Sequence, residues 1–138
     1  MKKHVVILAV SLLLLGTISI FAQGTNSNGN LPLSQEAIDN YIVGVQSDNL
    51  GLKVSCAYFL GEYKVSEAII PLMKILHSDK SDVARIVAAL SLTKIGSDKS
   101  VFAVKQAARF DESERVRSLC AKFYNSYTYM EQNQVDQF

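Results

Sequence analysis

Residues 79–96 read DKSDVARIVAALSLTKIG, and residues 111–124 read DESERVRSLCAKFY. A shift of 32 positions lays Asp79 on Asp111, Ser81 on Ser113, Asp82 on Glu114 and Arg85 on Arg117. Carried one step back, it brings Lys53 into the basic series, aligns Cys56 with Ala88 and Cys120, and aligns Leu60 with Leu92 and Tyr124. Charge, smallness and bulk are kept together in three copies. A period of this length marks a chain of stacked units, each too small to bury its own apolar face.

Each unit reads as two helices. In the second copy Asp79 or Ser81 offers an oxygen to the first free amides, and Asp82 suits the positive end of the helix. Val83, Ile86, Val87, Leu90 and Ile95 recur at helical spacing and predict the buried face. Ala88 and Ala89 predict close approach of a neighbour. Gly96 ends the segment, and Ser97-Asp98 opens a second helix from roughly Lys99 to Arg109, with Val101, Val104 and Ala108 inward. The first copy repeats the scheme over Leu52 to Tyr63 and Ser66 to Leu76. Pro71 falls there in the opening turns, where a missing N–H costs little. The third copy supplies one helix from about Glu114 to Tyr127, and the polar MEQNQVDQF at 130–138 reads as a fraying tail. Upstream, Ser34 to Val45 carries Ala37, Ile38, Tyr41, Ile42 and Val45 on one side and reads as a lone second helix closing the front. The expected class is all-α, with about six helices, in a repeat domain over 31–129 with units at about 47–78, 79–110 and 111–127.

The string D-x-S-x-V-x-R followed by A-A-L-x-L-x-K-I-G, at 79–96, resembles HEAT repeats, in the short variety also found in phycobilisome-lyase-like proteins. The resemblance covers roughly Ser47 to Tyr124. It departs at Gly61, where the second copy has Thr93, and at Gly51, where the second copy has Val83. The resemblance implies a small right-handed α-solenoid of helical hairpins. It is specific for the fold and nearly silent about function.

The chain opens MKKHVVILAVSLLLLGTISIFAQG. Lys2 and Lys3, the apolar Val5 to Leu15 and the small residues before Ala22 follow the plan of a secretory signal peptide over 1–22, cleaved after Ala22 or Gly24. The alternative is an uncleaved anchor, since Val5 to Ala22 carries no charge. No cysteine follows the apolar run, so a lipoprotein is not expected, and the remainder is expected to be periplasmic or secreted. QGTNSNGN at 23–30 reads as a flexible linker. Of the 14 Lys and Arg, two lie in the leader, against 13 Asp and Glu outside it, so the mature chain is nearly neutral. That excludes the concentrated basic footprint nucleic acid requires, and no cationic amphipathic face suits a membrane surface.

Chemistry-bearing residues are sparse. Lys53, Arg85 and Arg117 read best as ties to Asp79 or Asp111 at the next unit's turn, with an anion site as the rival. Cys56 and Cys120 sit two units apart, beyond disulfide reach, and align with Ala88 as small core residues. His77 is the single histidine after the leader; it suits a helix carboxyl end and cannot build a zinc site alone. Phosphate-binding glycine loops are absent. Phe123, Tyr124 and Tyr127 read as the seal on the open end of the stack, with Tyr129 beside them.

The expected function is a noncatalytic protein-interaction or scaffold module, with no catalytic residue, metal or cofactor. The alternative is an accessory or chaperone-like subunit of an enzyme complex. The expected contact surface is the groove lined by second helices, with Ile70, Lys74, Phe102 and Gln106 as binding candidates and Glu67 and Lys99 beside them. The expected partner is another protein, with weak homodimerisation through the end near Tyr124.

Overall fold

The computed structural model describes residues 33–135; the leader, the linker and the last three residues of the tail lie outside the described residues. Six α-helices occupy this span, with no strand among the described residues. They are α1 (Gln35–Gly44), α2 (Leu50–Glu62), α3 (Ile69–Ser78, preceded by a 3-10 turn at Ser66–Ala68), α4 (Asp82–Ile95), α5 (Asp98–Phe110) and α6 (Glu114–Val135). None is long and apolar enough to cross a membrane.

Local chemistry sets the helix starts. Ser34, Asn49, Ser81 and Ser97 each accept a hydrogen bond from a backbone amide three residues on, the geometry of an N-cap. Ser113 does the same for Val116 ahead of α6. Gly96 ends α4 with φ of 72°, a left-handed conformation that a Cβ would strain. Pro71 is the third residue of α3, inside the first turn, where the helix has no amide bond to lose.

Successive helices α1 and α2, α3 and α4, α4 and α5, and α5 and α6 pack on one another. Beyond these, α2 packs against α4 and α4 against α6, while α3 also meets α5. The turns between α3 and α4 and between α5 and α6 repeat the same bonds. Asp79 Oδ1 accepts from the Ser81 amide and Arg85 Nη1 donates to the Asp79 carbonyl, so the α3–α4 turn is fastened from both sides. The α5–α6 turn repeats both bonds with Asp111, Ser113 and Arg117.

Burial on α4 differs from the periodic face expected for it. Ala84, Arg85, Ala88, Ala89, Ser91 and Leu92 are buried, whereas Ile86, Val87, Leu90 and Ile95 are half-buried and Val83 is exposed. Because α4 touches four other helices, its closest approaches fall on small residues, and its larger ones fill the spaces between. Val104, Leu60, Leu72, Val116 and Cys120 complete the centre of the core, and Phe123 and Tyr124 pack against it. The last helix, expected to stop near Tyr127, runs on to Val135, so most of the segment read as a fraying tail is helical. Tyr127 anchors this extension, donating to the Gly96 carbonyl at 2.9 Å and to Glu131 at 2.6 Å, although one hydroxyl proton can serve only one acceptor at a time.

Candidate functional site

The basic series forms a ladder. Lys53 Nζ donates to Asp79 Oδ2 at 2.6 Å, and Arg85 Nε and Nη2 reach both oxygens of Asp111 at 3.1 Å, each bond spanning 26 residues. Arg85 also donates to Asp82 at 2.9 Å and to the Asp79 carbonyl at 2.7 Å, so its buried guanidinium is satisfied on every nitrogen. Ser113 Oγ closes the network onto Asp82 at 2.5 Å. Arg117 donates to the carbonyls of Asp111 and Glu112 and pairs with no carboxylate among the described residues. Burial works against charge on Arg85, but the bonds and charge of Asp111, then Asp82 and Glu112, outweigh it and hold the pKa above its usual value. Asp79 shows the same contest. Burial would raise it, yet the Lys53 bond, the Ser81 amide and the nearby cations leave its pKa below the ordinary carboxylate value. The ladder is therefore committed to holding helix pairs together.

What remains open lies on the face of α1, α3 and α5. One cleft of about 530 Å³ opens between α1 and α3, and another of about 700 Å³ between α3 and α5. Their linings correspond at the same shift of 32. Ile70 answers to Phe102, Lys74 to Gln106, Ile75 to Ala107, Ser78 to Phe110, Lys53 to Arg85 and Asp79 to Asp111. The two clefts are one site written twice, and Ser78 and Asp79 line both. Volumes of this order suit a bound side chain or small ligand.

The four sequence candidates fall here. Ile70 and Lys74 line the first cleft and Phe102 and Gln106 the second; all are exposed except the half-buried Gln106. Glu67 joins the first cleft, and Lys99, though exposed, lines neither. The sequence reading missed Ile42 from α1 and Gln46 from the turn after it, and Met73, His77 and Phe110 in the second cleft. Phe110, 75% exposed, was hidden because its partner in the repeat is the chemically unlike Ser78.

Consecutive His77, Ser78 and Asp79 suggest a hydrolytic relay, but their bonds point elsewhere. Ser78 Oγ donates to the Lys74 carbonyl at 2.9 Å, and the Asp79 oxygens are taken by Lys53 and the Ser81 amide. Cys56 and Cys120 are free and buried; burial raises both thiol pKa values, that of Cys120 to about 12 with the Asp111 charge adding and Arg85 opposing. No group of three or more His, Cys, Asp or Glu among the described residues is arranged to hold a metal ion. Tyr129, 67% exposed, and Met130 lie on the outer part of α6, away from both clefts. No protein-family model matches the chain, and no curated protein matches it.

Proposed function

We propose that the chain is a small right-handed α-solenoid of HEAT-like hairpins, exported behind a cleaved signal peptide, that serves as a noncatalytic protein-interaction module. The binding surface is the face of α1, α3 and α5. The observation that carries this reading is the correspondence of the two clefts at a shift of 32. A duplicated cleft suits a partner that is itself extended and contacts the surface more than once. The turns and ion pairs recur with the same period, which supports successive stacking of like units.

The test places a photoreactive side chain at Phe102, in the second cleft, and at the exposed Tyr58 on α2 as a control. In the native host, irradiation is expected to give one stoichiometric protein adduct from position 102 and none from 58. Equal adducts from both positions, or none from either, would overturn the assignment.

A further inference from the structure

The row of α2, α4 and α6 ends differently on its two sides. Helix α4 meets both α2 and α6, whereas α2 and α6 each have only α4 as a neighbour in the row. Ser91 is the residue by which α4 touches Ala57 and Gly61 of α2. Thirty-two positions earlier, Phe59 holds the place of Ser91, and no such helix precedes α2 among the described residues. Tyr41 stacks on Phe59 at 5.6 Å, yet Phe59 remains 40% and Leu52 49% exposed. At the same places later in the row, Ser91, Ala84 and Val116 are buried and Phe123 packs on the core. The far side of α6 is the reverse. Ala57 and Gly61 become Ala121 and Asn125 there, with Ser118 exposed beside them. One end is bulky and apolar, the other small and polar.

Charge divides the same way. Residues 33–49 carry Glu36, Asp39 and Asp48, all exposed and in no ion pair among the described residues, and no Lys, Arg or His. On α2, Lys53 and Glu62 are taken by Asp79 and Lys94, and Lys64 lies past the opposite end of the helix. Residues 114–125 of α6 carry Arg115, Arg117 and Lys122 against Glu114, which stands where Asp82 stands beside Arg85. Arg117 is already posed for a carboxylate. Its Nη1 donates to the Asp111 carbonyl at 2.7 Å, as Arg85 Nη1 does to the Asp79 carbonyl at 2.7 Å. In Arg85 that pose aims Nε and Nη2 at Asp111 across the next joint. Nε and Nη2 of Arg117 bond nothing among the described residues.

We propose that copies of this chain join end to end, α6 of one taking the vacant place before α2 of the next. Three features of the chain itself select a second copy. Its α6 presents small residues where Phe59 needs room, so Phe59 falls opposite Ala121 and Asn125 as Ser91 falls opposite Ala57 and Gly61. Its cations on α6 meet the acidic residues of α1 and of the turn before α2. Among the described helices, α6 is a first helix without a second and α1 a second helix without a first, so the joint completes a unit divided between two molecules. Arg117 then meets Asp48, the counterpart of Glu112, which lies 3.6 Å from Arg85. Ser47 occupies the place of Asp111 itself and keeps the bond of that turn, accepting from the Asn49 amide at 3.1 Å. Joining like ends would instead set Glu36, Asp39 and Asp48, or Arg115, Arg117 and Lys122, against themselves. A contact between unlike ends propagates, into a ring where its rotation closes and into a filament where it does not. This rests on the stacked-hairpin part of the reading above and leaves both clefts open to their partner.

Sedimentation velocity of the exported, leader-free chain tests this. The average mass should rise with concentration up to about 1 mM and pass that of a dimer. Asp48→Arg disables one end and Arg117→Asp the other, so each variant alone should associate at least tenfold more weakly. Mixed in equal amounts, the two still share one native joint, between Arg117 of the first and Asp48 of the second, and should stop at a dimer. Phe59→Asp and Asn125→Arg repeat the pair through packing, should a charge reversal disturb folding. Lys99→Glu, a charge reversal on α5, should change nothing. A monomer at every concentration, a dimer that neither single reversal weakens, or a mixture no larger than its separate parts overturns the proposal. A monomer together with a specific adduct at position 102 removes end-to-end joining and leaves the interaction module intact. Failure of both experiments removes both.

Discussion

The two junctions along α4 are built from the same repeat yet held differently. Toward α2, Gly61 lies against Ser91 so closely that a Cβ on it would sit 2.5 Å from the Ser91 Cα. Ser91 Oγ donates across the contact to the Ala57 carbonyl at 2.7 Å. The ionic ties there are single bonds, Lys53 to Asp79 and the half-exposed Lys94 to Glu62. Toward α6, the positions equivalent to Gly61 and Ser91 are Thr93 and Phe123, and the rung is the forked Arg85–Asp111 pair with Asp82 and Ser113 attached. One junction is fastened by backbone proximity and the other by a satisfied buried charge. A repeat position therefore fixes where a joint lies, while its occupants decide what holds it.

The sharpest way to break the contrast is at the second junction. Arg85→Ala leaves the buried Asp111 carboxylate without its cation, and loss of about 3–5 kcal/mol is expected, read as a lowered urea midpoint. A loss comparable to that of a surface pair would show that the network holds nothing. Next comes Gly61→Ala, where the obstacle is backbone and cannot rotate away; about 1–3 kcal/mol is expected, whereas Thr93→Ala at the equivalent place should cost less. Equal costs would erase the distinction between the joints. The smallest effect belongs to the Lys53–Asp79 rung, at about 1–2 kcal/mol for Lys53→Ala.

That last rung carries a pH signature. The Asp79 pKa is lower folded than unfolded, so its contribution is complete above the unfolded value of about 3.9 and is lost as pH falls through the folded value. Denaturation of the native chain and of Asp79→Asn should differ most near neutral pH and converge as pH falls below the unfolded carboxylate value of about 3.9. A gap that widens in acid would reverse the sign and refute the assigned rung.

The ladder was legible in the sequence because charge cannot drift from a junction without stranding its partner. Ser34, Ser81, Ser97 and Gly96 were legible for a related reason, since capping needs a particular atom at a particular place. The buried face of α4 was not. Periodicity weights large apolar residues, yet a helix with neighbours on several sides seats its smallest ones deepest. The length of α6 was hidden as well, because its final turns are polar and are tied in by Tyr127 reaching back to Gly96. In the clefts, Ile70 and Phe102 could be found by register, whereas Ile42 became visible only when α1 was seen beside α3.

The two buried thiols have a further consequence. Cys56 lies under α1, where a Cβ on Gly44 would fall 2.3 Å from its sulfur, and Cys120 lies on the buried side of α6. Neither can meet an alkylating reagent until α1 or α6, respectively, lifts from the core. The chain thus contains two independent clocks, one at each end, and the order in which they run out tells which end opens first.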